Sequence, residues 1–86
     1  MIDEHEWRSV LQVAKDGTFS AAAKHLYISQ PSLSQCIKKV ETELGVRLFD
    51  RSQTPLALTT AGEIYVRQAK EILRIRPALV QEVADL

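Results

Sequence analysis

Gln30, Pro31, Ser32, Ser34, Gln35 and Lys38 fall within one nine-residue stretch, and their side chains suit the surface of a nucleic-acid duplex. Glutamine can pair bidentately with adenine N6 and N7, serine can donate or accept at several base edges, and proline can touch a thymine methyl. Lysine suits phosphate, a contact that fixes orientation without carrying sequence information. Leu33, Ile37, Val40 and Leu44 recur at i, i+4, i+7 and i+11 through the same stretch, which predicts a helix with one buried stripe. At about 100° per residue, Pro31, Gln35, Lys38 and Thr42 point away from that stripe, with Ser32, Ser34 and Lys39 on its flanks. Net charge is zero, yet no acidic residue occurs from Gly17 to Val40, where Lys24, Lys38 and Lys39 lie. A locally basic face can steer a polyanion even on a neutral protein. The plainer reading of each residue alone is a solvated helix face.

Other chemistry finds little support. No nucleophile stands with a base and an orienting partner, and no glycine-rich loop could cradle a nucleotide, so catalysis is not expected. Cys36 is the only cysteine and there are two histidines, which gives no internal disulfide and no zinc ligand set. No metal or cofactor is expected. Cys36 reads as a small hydrophobe at the edge of the stripe, His25 as a surface histidine, and Trp7 as core. No apolar run approaches the ~18 residues of a membrane span, and the acidic start (Asp3, Glu4, Glu6) is unlike a signal peptide. At 86 residues and 9.7 kDa there is room for one domain, and a monomer of this size should expose about 5,100 Å².

The elements that would carry the polar face are legible. Trp7, Val10, Leu11 and Ala14 mark a first amphipathic helix over about 4–15, closed by Asp16-Gly17. Thr18 and Ser20 offer N-caps for a short second helix, Ala21 to Leu26. Tyr27-Ile28-Ser29 connects it to a third, which Gln30-Pro31 opens and Gly45 closes. Two helices joined by so tight a turn form a helix-turn-helix. Apolar runs at 46–51 and 56–58 flank Ser52-Gln53-Thr54-Pro55, as in a small β-hairpin or wing. Thr60-Ala61-Gly62-Glu63 fits a capping box opening a long fourth helix. In it Tyr65, Ala69, Ile72, Arg76, Leu79, Val83 and Leu86 alternate at fours and threes, a heptad seam with one charged intruder. Such a stripe calls for a second copy of the chain. Pro77 should kink or break this helix.

Gly17 to Ile37, Val40 to Arg51 and Leu58 to Gly62 resemble the N-terminal region of LysR-type transcriptional regulators, and the likeness covers nearly the whole chain. The resemblance implies a mainly all-α fold: a winged helix-turn-helix over 1–59, then a linker and dimerisation helix over 60–86 that pairs antiparallel with its mate. It implies sequence-specific binding of double-stranded DNA at an inverted repeat, as a homodimer, in the bacterial cytoplasm. Gln30, Pro31, Ser34 and Gln35 would meet base edges. Ser20, Ser32, Lys38 and Arg51 would meet phosphates or the wing's groove. Tyr65, Ala69, Ile72, Leu79 and Val83 would form the dimer interface. Family members also carry a C-terminal effector-binding domain of two α/β lobes, which these 86 residues do not include, so the chain is expected to be the DNA-binding part alone. Many members have arginine at the position of Gln35, so an adenine preference is expected there. The family's wing often has a basic residue near Thr54; Ser52 to Thr60 contains none, and weaker minor-groove contact is expected. The competing reading is a helical dimerisation or protein-docking module that touches no DNA.

Overall fold

A computed structural model of the chain describes residues 3–86. In chain order the elements are α1 (Glu4–Asp16), α2 (Phe19–Leu26), α3 (Gln30–Leu44), β1 (Phe49–Asp50), β2 (Ala57–Leu58) and α4 (Thr60–Ala84). Asp3 caps α1, accepting from the His5 N–H at 2.7 Å. Glu4 and Glu6 in its first turn complement the helix dipole. The helix ends at Gly17, whose φ of 76° is left-handed. A Cβ there would sit 2.6 Å from Cβ of Pro55, and the Gly17 carbonyl accepts from the Leu56 N–H at 2.9 Å. Glycine therefore both turns the chain and admits the wing.

Thr18 caps α2 and Ser29 caps α3. Between them Tyr27 takes φ 58°, the one non-glycine residue with positive φ among those described, and stands 96% exposed. The core joins Val10 and Val13 of α1, Ala22 and Ala23 of α2, and Leu33, Ile37 and Val40 of α3 to Leu48, Phe49 and Val66. Phe19 meets Phe49 edge to face, with centroids 6.4 Å apart. The wing is a two-stranded antiparallel hairpin pairing Phe49 with Leu58 and Asp50 with Ala57. The fold is thus mainly α-helical, with a helix-turn-helix, a small β-wing and a long C-terminal helix, as the sequence led us to expect.

Three details differ. Leu44 is not in the buried stripe but 38% exposed, because α3 ends there at Gly45 and Leu44 lines an open hollow that Trp7 and α4 do not fill. The cap of α4 is Thr59, not Thr60: its hydroxyl accepts from the Gly62 N–H at 3.0 Å and donates to the Arg47 carbonyl at 2.6 Å. Its N–H reaches the Leu48 carbonyl at 3.0 Å, so the wing, not the capping-box pattern, sets where α4 begins. Third, Pro77 lies inside α4 without breaking it. Proline removes only the bond to the Leu73 carbonyl, and this stretch is exposed, where water can satisfy that oxygen.

From Lys70 onward every residue of α4 is exposed. The accessible surface is 5944 Å², well above the about 5,100 Å² of a compact chain this size. The long axis is 50 Å against 27 and 21 Å for the others. None of the described helices is long and apolar enough to cross a membrane.

Candidate nucleic-acid interface

With Leu33, Ile37 and Val40 buried, the opposite side of α3 presents Gln30, Pro31, Ser32, Gln35, Lys38 and Thr42, all exposed, with Ser34 half-buried beside them. The Ser29 hydroxyl accepts from the Ser32 N–H at 3.2 Å and donates to the Ser32 hydroxyl at 2.8 Å. That bond fixes the first turn and holds Gln30 and Pro31 at the helix tip. Ser20 is exposed in the first turn of α2, since Thr18 has taken the capping role through the Ala21 N–H at 3.1 Å.

The carboxylates nearest this face are engaged elsewhere. Glu41, with its side chain 11% exposed, accepts from the Leu48 N–H at 2.7 Å and from Arg51 at 3.1 Å. Asp50 accepts from the N–H and hydroxyl of Ser52 at 2.9 and 2.6 Å, and these bonds hold its carboxyl below the usual range. Lys39 lies 3.5 Å from the buried carboxylate of Glu6 and 4.0 Å from Glu43. Lys38 has no carboxylate partner among the described residues. The exposed face of α3 is therefore polar, positive at Lys38 and free of acid as far as Val40.

The remaining site candidates separate. Arg51 is tethered on two sides, bonded to Glu41 and stacked over Phe19 with 5.4 Å from Cζ to the ring centroid. Of the five seam residues, Tyr65 packs against the core cluster and Ala69 is buried within the chain. Burial pushes the Tyr65 phenol up to about 12. Ile72, Leu79 and Val83 are 37%, 60% and 60% exposed. Arg76, the charged intruder, turns to Glu4 of α1 at 2.6 Å. Cys36 is half-buried, and burial raises its thiol pKa.

Two features were not foreseen. His25 donates to Asp16 at 2.7 Å, pinning α2 to the end of α1; nine residues separate the two, and no local pattern signals it. Arg47 lies in the loop before β1 and lines the same notch as Ser34, Lys38 and Thr42. It sits outside every helical period, so spacing could not have found it.

Residues 5–63 match the family described as bacterial regulatory helix-turn-helix protein, lysR family. An uncharacterised HTH-type transcriptional regulator of Bacillus subtilis (strain 168), YcgK, is 45% identical over 74 residues. The match takes in 86% of this chain and 23% of that relative, so the chain spans about a quarter of its length. Among solved structures, the complex of the BenM DBD with benA site 1 DNA superposes at a TM-score of 0.91 and 28% identity, covering 98% of both chains. The CbnR DBD–DNA complex superposes at 0.84 and 31% identity, covering 99% of this chain and all of that one.

Proposed function

The chain belongs to the LysR family of bacterial regulatory helix-turn-helix proteins, and from that premise we propose that it binds double-stranded DNA sequence-specifically, as a homodimer, with α3 in the major groove. The observation that carries the proposal is the exposed face of α3. It is slim, polar and acid-free, and the adjoining carboxylates Glu41 and Asp50 are bonded away from it. A protein-docking surface would need an apolar centre, which this face lacks.

In this reading Gln30, Pro31, Ser34 and Gln35 meet base edges. Ser20, Ser32, Lys38 and Arg51 lie along phosphates and the wing. The wing tip, without a basic residue from Ser52 to Thr60, contributes little to a minor groove. The dimer forms along α4, where Ile72, Leu79 and Val83 await cover. An apolar hollow of about 280 Å³ next to them, walled by Trp7, Leu44, Ile64, Tyr65, Ala69 and Ile72, extends the surface a second α4 can fill. Two copies of α3 related by a two-fold axis imply an inverted-repeat site in the DNA of the bacterial cytoplasm.

Titration of labelled duplexes at several salt concentrations tests the roles. Affinity should fall steeply with salt as counterions are released. Lys38→Ala should weaken binding to all sequences alike and lower the salt slope by about one. Gln35→Ala should leave the slope unchanged and relax base choice by about 1–3 kcal/mol at one position per half-site. Identical behaviour of the two variants on cognate and random DNA would overturn the assignment.

A further inference from the structure

Between α3 and the loop that follows it lies an open notch of about 570 Å³, lined by Ser34, Lys38, Glu41, Thr42, Arg47 and Arg51 among others. Three cations and one carboxylate line it. That carboxylate is spent on the Leu48 N–H and on Arg51, and Arg51 is further occupied by the face of Phe19. Arg47 differs. It is exposed and, among the described residues, its guanidinium has no partner, while its backbone is anchored by the Thr59 hydroxyl at 2.6 Å. The same hydroxyl caps α4, so the longest helix of the fold fixes where Arg47 starts.

We propose that this notch seats one backbone phosphate of the DNA, with Arg47 its principal ligand and Lys38 facing it from α3. The inference rests on the DNA-binding reading and deepens it. An anchored main chain with a free guanidinium confines the charge to one place at little ordering cost, and its planar fork can bond two phosphate oxygens at once. Thr42 adds a hydroxyl donor from α3. The contact lies at the trailing half of α3, so it sets how deeply the helix enters the groove and reads no base.

The test uses the whole chain and a duplex it binds, with backbone phosphates replaced one at a time by neutral methylphosphonates. Arg47→Gln should fold like the parent, since the side chain holds nothing in the protein, and circular dichroism melts check this. The variant should lose affinity on the order of tenfold, equally for specific and random duplexes, with the salt slope lower by about one. One methylphosphonate position per half-site should weaken the parent yet leave Arg47→Gln unaffected. If Arg47→Gln retains parental affinity and slope, or is weakened by every methylphosphonate as the parent is, the notch is not a phosphate seat. If the parent binds no duplex even at low salt, the DNA-binding reading itself fails, and the notch with it.

Discussion

Lys38 and Lys39 are adjacent in the chain, yet one faces open solvent on the polar side of α3 and the other is drawn to the buried carboxylate of Glu6, 3.5 Å away. Turning one residue along a helix rotates a side chain by about 100°, enough to separate an unpaired surface cation from an internal counter-ion. Glu41 shows the same economy in reverse: it lies next to the acid-free face but is consumed by the Leu48 N–H and Arg51. Long-range bonds of this kind leave no trace in spacing, which is why the exposure of Gln35 was legible from the sequence and the tethering of Arg51 was not. Asp16 is a second case. Its bonds from His25 and Gln12 at 2.7 and 2.9 Å hold its carboxyl below the ordinary 3.8. A carboxyl whose pKa is lower folded than unfolded contributes stability that is fully present above the ordinary value and lost as pH falls through the folded one. Asp16→Asn should therefore lower Tm near neutral pH, and the difference from the parent should shrink as pH falls below the ordinary carboxylate value and through the lowered folded one. Thermal melts across that range check it; a constant difference at all pH values would contradict the linkage.

At the scale of elements, the three helices of the helix-turn-helix follow from apolar period, glycine stops and hydroxyl caps, all of them local signals. What was misread lies where one element meets another. Thr60 satisfies a capping pattern on paper, but Thr59 is held by the carbonyls of Arg47 and Leu48 and takes the cap. Leu44 keeps the period of its helix but lines an open hollow with Trp7 and Ile64 and stays 38% exposed. Pro77 obeys its reputation less than expected because α4 is solvated there. Gly62 makes the junction of wing and α4 possible: a Cβ at that position would lie far inside contact distance of the Leu48 carbonyl oxygen. The obstacle is backbone that already accepts the Thr59 N–H, so it cannot swing aside freely. Gly62→Ala should cost about 3 kcal/mol or more, measured by urea unfolding, and should weaken DNA binding through displacement of the wing. An unfolding midpoint within error of the parent would show that the junction gives more easily than its geometry implies.

The whole molecule is a small globule with a protruding rod, and its shape argues for a partner. A 5944 Å² surface on 86 residues reflects the bare second half of α4, where Leu79, Val80 and Val83 are each at least 60% exposed. Heptad spacing made that stripe visible in the sequence. It could not show that Tyr65 and Ala69 would be partly used by the chain's own core, or that Arg76 would be withdrawn toward Glu4. Leu79→Asp touches none of those internal contacts and should leave the fold intact while giving monomers with weakened DNA binding in sedimentation and titration. An unchanged dimer would move the interface off α4. The central claim is that two copies of α3, held at fixed spacing by that rod, read an inverted repeat. The most direct test is to select the protein against a random pool of duplexes at moderate salt and sequence what it retains. Enrichment of an inverted repeat, with A·T pairs favoured opposite Gln30 or Gln35 and half-sites one helical turn or a multiple apart, is the predicted result. Failure to retain any duplex, even at low salt, would contradict it.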